Sequence, residues 1–280
     1  MSCRLAIAVL LSSLALIAPA PRALAEVVPA ASQAPAPPVS LQPAPLQPPP
    51  LQPPPLQAVP SQPAPLRPFV ATYQVFRSGS ELGEATMQLV HVNGPRWRID
   101  LDMKGHGLMR ITGLNLQQST LFDVDGTTYR PLAQSTVKRA FLSSRKTVGL
   151  YDWAHQSAHW TGDVRKGHAV PVPLRPGDMS GLLIDLAVIR DAAPGRELHY
   201  RFVDDGRVRD HHWVVAPQTE SVAMGELNYD ALRANRVQGG GDDTILWVAA
   251  GVPTPIRILQ RDNGTDSTDL RLIEYKGVTQ

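Results

Sequence analysis

The sequence predicts a mainly β fold: an antiparallel meander forming a barrel or half-barrel, with one covering α-helix. Three observations carry this. From Phe69 onward apolar and polar residues alternate in run after run; Asn-Gly and Asp-Gly dipeptides separate the runs; and one stretch, Asp178 to Asp191, instead spaces its apolar residues by three and four. Alternation with one charged face marks an antiparallel strand, core on one side and water on the other. Asn-Gly and Asp-Gly suit two-residue hairpin turns, whose central residues take positive φ.

The elements justify themselves in chain order. Met-Ser-Cys-Arg leads into an apolar run from Leu5 to Ala18, broken by Pro19, and Ala23-Leu24-Ala25 places small residues three and one before Glu26. A charged start, an apolar middle and a small-residue cut site define a signal peptide over residues 1–25. Cleavage after Ala25 and export to the periplasm are the expectation. The alternative is an inner-membrane anchor formed by an uncleaved N-terminal segment, but the apolar run is roughly 14 residues where a spanning helix needs ~20. Cys3 is the single cysteine of the chain. It precedes the apolar run, so it is no lipidation site, and its removal with the signal leaves no disulfide or cysteine-based metal site.

Removing the signal also changes the charge. The chain has 27 basic and 25 acidic side chains, and residues 1–25 hold Arg4, Arg22 and no acid, so 27 less two leaves 25 against 25. A neutral mature chain offers no electrostatic footprint for nucleic acid, and no such partner is expected.

Residues 26–68 hold 16 of the 27 prolines, with a five-residue period opening at Leu41, Leu46 and Leu51 and decaying at Leu56. Proline fixes φ near the polyproline II value and removes a backbone donor. This predicts a proline-rich disordered spacer, at ~3.1 Å per residue able to reach on the order of 130 Å when extended.

The domain, 69–280, starts at Phe69. Its clearest run is Arg96 to Lys104, with Trp97, Ile99, Leu101 and Met103 on one face and five charges on the other. Further runs fall at 69–78, 84–92, 117–124, 127–138, 140–152, 197–204, 208–216, 226–237, 255–261 and 269–276. The turns between them are Gly79 to Gly83, Asn93-Gly94-Pro95, Asp125-Gly126, Asp205-Gly206 and Asn263-Gly264. Ten or so hairpin-linked strands close readily into a barrel or half-barrel. Within Asp178–Asp191, Leu182, Leu183, Leu186, Ile189 and Arg190 share a stripe, Asp178 is a candidate N-cap, and Pro194-Gly195 supplies a stop. The expected helix has about three turns and either lies on one face of the sheet or plugs an open barrel end.

Catalytic chemistry is hard to find. Gly239-Gly240-Gly241 runs into Asp242-Asp243, which would repel a phosphate, and neither a G-x-S-x-G nor an H-E-x-x-H pattern occurs. Ser143-Ser144-Arg145-Lys146 matches S-x-x-K but sits in a strand-like run with no S-D-N or K-T-G after it. His155 and His159 would share a face only on a helix, and their context reads as strand, turn and strand; His168, His211 and His212 add further imidazoles, but the last two, as strand neighbours, point to opposite faces. Asp262, Asp266 and Asp269 do not have the EF-hand spacing and read as a hairpin loop. The five tryptophans, Trp97, Trp153, Trp160, Trp213 and Trp247, show no repeat, and either core packing or an open concave face would use them.

A set of short motifs recurs in a definite order: Tyr73 to Gly79, Gly83-Glu84-Ala85, Tyr151-Asp152-Trp153, Pro176-Gly177-Asp178, Gly225-Glu226-Leu227, Trp247-Val248-Ala249, and Pro253 to Ile258. In this order they resemble an uncharacterised family of exported Gram-negative bacterial proteins, a domain of unknown function, over about residues 69–276. The family's β-rich shape is similar to the lipoprotein-carrier half-barrels of the periplasm. The resemblance implies a non-catalytic binding or carrier module for an apolar or envelope-derived ligand, such as a lipid. The alternative is a cell-envelope structural or assembly factor acting through an envelope protein partner. No catalytic residue, no metal ligand and no cofactor is assigned, and the ligand-binding residues are not located.

Overall fold

The computed structural model describes residues 65–107, 115–140, 142–239 and 242–278. The signal peptide and the proline-rich segment up to residue 64 lie outside the described residues. The chain runs through β1 (Phe69–Arg77), β2 (Ser80–Asn93), β3 (Arg96–Gly105), β4 (Asn115–Asp125) and β5 (Thr128–Ala140). Then come β6 (Ser143–Asp152), β7 (Ser157–Gly162), the short β8 (Val172–Pro173) and the helix α1 (Leu183–Asp191). The second half holds β9 (Glu197–Asp204), β10 (Arg207–Val215), β11 (Glu220–Met224) and β12 (Leu227–Gln238). It ends with β13 (Asp242–Ala249), β14 (Arg257–Asp262) and β15 (Thr265–Gly277).

The strands form one antiparallel sheet in the order β8-β7-β6-β5-β4-β3-β2-β1-β15-β14-β13-β12-β10-β9, with β11 pairing β12 beside this path. The sheet curls into a nearly closed barrel. Between its edges, β8 and β9, runs the segment 174–180: Leu174 N–H donates to Gln156 O, while Met179 exchanges bonds with Arg201 O and Val203 N–H at 2.9 and 2.8 Å. Met179 and Phe202 thus form a parallel bridge in an otherwise antiparallel sheet.

Register lines the apolar residues up across strands. Val75, Leu270, Ile258 and Leu246 lie opposite one another on β1, β15, β14 and β13, and all are buried. On β3, Ile99, Leu101 and Met103 are buried while Arg98 and Lys104 are exposed, as alternation requires. Trp97, near the end of the strand, is half-buried, packed on the core and on the His91 ring at 4.7 Å. Arg96, Asp100 and Asp102 are half-buried rather than exposed, and they pair with Asp123, Arg98 and Lys104.

Turns fall where the Asn-Gly and Asp-Gly signals place them, but of those pairs only Asp205-Gly206 and Asn263-Gly264 have both residues at positive φ; Asn93 and Asp125 end β2 and β4, and Gly94 and Gly126 open those turns. Asn263 and Gly264 take φ of +49° and +79°, the geometry of a type I′ hairpin turn. Gly83, by contrast, is no turn shoulder: it lies inside β2, where the Lys104 carbonyl oxygen comes within 2.0 Å of where a Cβ would be. The turn there is Ser78-Gly79.

The helix is shorter than its apolar spacing implies. Asp178 does not cap it; the helix begins after Leu182, with no side-chain cap. Met179 is bonded to β9, and Gly181 turns the chain at φ +50°, so the backbone of 178–181 is committed elsewhere. Asp178 instead accepts from Arg175 N–H at 2.8 Å and pairs with Arg201. After Asp191 the backbone becomes extended at Ala192, ahead of Pro194. Leu182, Leu183, Ile184, Leu186, Ala187 and Val188 are all buried. A helix apolar on nearly every side has to be enclosed. It plugs the barrel, and does not lie on the outside of the sheet.

The residues just before β1 belong to the packed unit. Leu66 packs on the core, and Pro68 O accepts from Val278 N–H at 3.1 Å, so the last residues of the 26–68 segment lie along the barrel.

Candidate functional site

Two large clefts lie beside α1, and they share no lining residue. The first is a cavity of ≈540 Å³ beside the later turns of the helix. Its walls are apolar: Leu66 and Phe69 ahead of and on β1, Leu89 from β2, Leu186 and Ile189 from α1, and Val252 from the 250–256 loop. Arg67, Arg190 and Asp230 also line it. Arg190 is fixed there, its guanidinium 4.5 Å from the Tyr129 ring and paired with Asp191 at 2.6 Å. Tyr200 donates to the same Asp191 carboxylate at 2.8 Å. The Arg190 and Tyr200 bonds hold the Asp191 carboxyl below its ordinary range against the opposing effect of burial.

The second cleft, ≈520 Å³, lies at the start of α1 and is polar. Arg209, His211 and Trp213 succeed one another on the inward face of β10, and Arg236 on β12 stands opposite Trp213 in register. Arg165, Arg207, Asp185 and Asp204 complete the charged lining. His211 and Trp213 are 3% and 1% exposed, and neither the His211 ring nitrogens nor Trp213 Nε1 has a hydrogen-bond partner among the described residues. The Gly239 backbone lies against the His211 ring outside good hydrogen-bond geometry, and Phe202 stacks on it at 4.4 Å. A buried donor left unpaired costs about 1–3 kcal/mol. Burial, helped by Arg236 and Arg209, lowers the His211 pKa to about 4, so the ring is neutral near pH 7. Asp185 touches the cleft but is otherwise enclosed, and burial pushes its carboxyl up to about 7 against the pull of Arg236. Burial also raises the Asp204 carboxyl, opposed by a hydrogen bond from Gln134.

A buried polar network lies where the barrel closes. The Tyr151 hydroxyl is 2.9 Å from Val203 O and 3.1 Å from Gln134 Oε1, and Ser180 donates to the same Gln134 oxygen. Burial drives the Tyr151 phenol pKa upward, with Asp204 adding to the effect. These groups satisfy one another, so the network fixes the closure.

Other residues singled out in the sequence are dispersed. Ser143 and Lys146 are exposed on β6, and residues three apart on a strand face opposite ways. His155 sits in the turn after β6, bonded to Asp152 at 2.6 Å, while His159 lies on β7. His168 pairs with Asp205 at 3.1 Å. Asp266 and Asp269 pair with Arg261 and Arg257. Gly239 lines the polar cleft; residues 240 and 241 lie outside the described residues. Of the tryptophans, Trp213 alone lines either of the two clefts beside α1.

One trio among the described residues has ligands that could hold a metal ion: Glu197, His199 and His212, whose ligating atoms lie within 4.8 Å of one another. His199 and His212 are opposite each other across β9 and β10, and their rings stack at 4.3 Å. Glu197 is 3.1 Å from His212 Nε2. Glu197 and His199 are exposed, so solvent competes for every ligand atom. His212 stands out in the sequence beside His211, but His199 does not, because its place opposite His212 comes from the β9 and β10 register, which no local motif records. Arg209 and Arg236 were missed for a similar reason. They occupy inward positions of strands recognised from their apolar alternation, which says nothing of charges on the inner face.

The architecture defines a class: a nearly closed antiparallel β-barrel, plugged by one helix. Residues 69–271 match the family described as protein of unknown function (DUF3108), and the chain belongs to that family. Among curated proteins none matches it. A solved structure from Brucella abortus, a beta-barrel-like protein of domain of unknown function DUF1849, is similar over 76% of this chain and 99% of its own at 11% identity, with a TM-score of 0.40. Among the described residues no helix is long and apolar enough to cross a membrane.

Proposed function

We propose that the protein is an exported, non-catalytic module that binds an apolar, envelope-derived ligand in the cleft beside the later turns of α1. The observation that carries this reading is the cavity of ≈540 Å³ walled by Leu66, Phe69, Leu89, Leu186, Ile189 and Val252. Its volume lies within the roughly 300–1,000 Å³ of small-molecule sites, and its mix of apolar walls with a few rim charges is what such sites use. Arg190 is already bonded to Asp191 and Thr127 O, and Asp230 lines the cavity beside Arg67, so the reading rests on the apolar walls and not on a charge pair with the ligand.

Native mass spectrometry of protein purified from the periplasmic fraction tests it, with lipid-sized mass retained on the chain as the expected result. The same spectra report the N-terminus, expected at Glu26. Titration with the neutral dye N-phenyl-1-naphthylamine should show saturable binding that Ile189→Glu weakens at least tenfold. A lipid-free chain that also ignores the dye overturns the reading. The alternative, an envelope assembly factor acting on a protein partner, is favoured by one observation: α1 fills the centre of the barrel with side chains.

A further inference from the structure

We propose that the polar cleft at the start of α1 is a second ligand site, taking a small anion that bears carboxylate or phosphate oxygens. Two polar groups at this cleft are already desolvated. Trp213 Nε1–H can only donate, it is buried, and it lacks a partner among the described residues. His211, two residues before it on the same inward face of β10, is likewise buried, and among the described residues its ring nitrogens have no well-formed bond, with only the Gly239 backbone close by. Both open into a space of ≈520 Å³, ample for a molecule larger than water.

The charges around that space select the occupant. Four guanidinium groups line it, from Arg165, Arg207, Arg209 and Arg236, against two carboxyl groups, Asp185 and Asp204, with Asp205 pairing Arg207 at 4.0 Å just outside the lining. Asp204 already accepts from Gln134 Nε2. Burial favours the neutral form of both acids, which enlarges the positive excess. A cleft with one sign of charge in excess focuses its field on whatever enters. Guanidinium forks and an unpaired indole N–H are donors without acceptor capacity, so the complementary ligand is rich in acceptor oxygens. Phe202, stacked on His211, gives the site one apolar wall. The site stands independently of the apolar cleft, because no lining residue is common to both.

The test uses the whole mature chain, thermally unfolded across titrations of sodium phosphate and of sodium citrate, with sodium chloride matched for ionic strength. The expected result is a saturable rise in midpoint with phosphate or citrate that chloride does not reproduce. Phosphate alone acting assigns a phosphoryl group, and citrate alone a carboxylate. Arg209→Gln should weaken the response at least tenfold and Trp213→Phe several-fold, while Arg145→Gln, exposed on β6, leaves it unchanged. If Arg209→Gln fails to fold, Arg207→Gln, whose side chain is 42% exposed, takes its place. Ile189→Glu should not alter the anion response, which separates this site from the apolar one. A response that chloride matches, or that survives intact in the arginine variants, reduces the site to an adventitious ion only and overturns the proposal.

Discussion

The Tyr73 hydroxyl on β1 donates to the Pro255 carbonyl oxygen at 2.9 Å, with Thr254 Oγ1 2.5 Å away. Residues 181 and 182 positions apart in the chain meet inside the barrel, both ends buried. Two short motifs of the sequence, one opening the domain and one near its end, turn out to be halves of a single contact. The phenol is pushed well up from its ordinary pKa by burial, so it stays a neutral donor. Tyr73→Phe should cost about 1–3 kcal/mol, because it leaves the Pro255 oxygen and the Thr254 hydroxyl buried and short of a partner. Adding Thr254→Val should recover part of that loss, read from urea unfolding of the single and double variants.

Ile99 is wholly buried in β3 and Asp100, its neighbour, points outward into a 2.8 Å pair with Arg98. Ile99→Asp is expected to cost several kcal/mol, enough to unfold a domain of ordinary stability. Asp100→Ala should change stability by about 0.5 kcal/mol or less. A folded Ile99→Asp protein of near-native midpoint would contradict the assignment of faces.

Asp185 gives stability a pH dependence of definite sign. Its folded pKa is about 7 against an ordinary 3.8, so between those values the folded chain holds a proton that the unfolded chain has lost. Stability therefore falls as pH rises through that window and levels off above it. Arg236, Arg209, His211 and Asp204 line the cleft with it and are present in every variant compared. At about 1.4 kcal/mol per pH unit the effect is capped near ~4 kcal/mol, and water entering the cleft lowers it to about 1–2 kcal/mol. Asp185→Asn should match the parent at pH 4 and exceed it at pH 8 in denaturant unfolding. A difference that stays constant across pH would refute the assignment.

Truncation separates the spacer from the domain. Removing residues 26–64 from the exported chain should leave the thermal midpoint within about 2 °C, since a proline-rich segment offers little apolar surface to bury. Extending the deletion to 68 also removes Leu66 from the core and Pro68 O from Val278 N–H. That step should lower the midpoint by several degrees, about 1–3 kcal/mol of packing and bonding.

Much of the barrel was readable because its strands bury one face only. β3, with Ile99 inward and Arg98 outward, declares itself residue by residue. β13 did not, because Ile245, Leu246 and Trp247 are all buried and no alternation survives. β8 and β11 were too short for any period to show. The helix was recognised from Leu182, Leu183 and Leu186, yet its start was misjudged because the bonds of Met179 to β9 are non-local. The two clefts were not legible at all. They arise from which strands become neighbours, and Arg236 meets Trp213 only through the register of β12 against β10.

The order of the ring has a mechanical consequence. β1 and β15 pair along eight positions, from Phe69 with Gly277 to Phe76 with Asp269, whereas β8 and β9 are joined through one stretch of chain and the bridge at Met179. The barrel is therefore two sequence-contiguous arcs, β1–β8 and β9–β15, hinged on their shared ladder and latched on the far side. Both arcs grip α1, and the polar cleft draws its walls from each of them, with Gln118 on one and Arg236 on the other. The latch is the Met179 bridge together with the Tyr151–Val203 and Gln134–Asp204 bonds, so parting the arcs there means breaking buried polar contacts, whereas parting them at the spine means breaking a whole β1–β15 ladder.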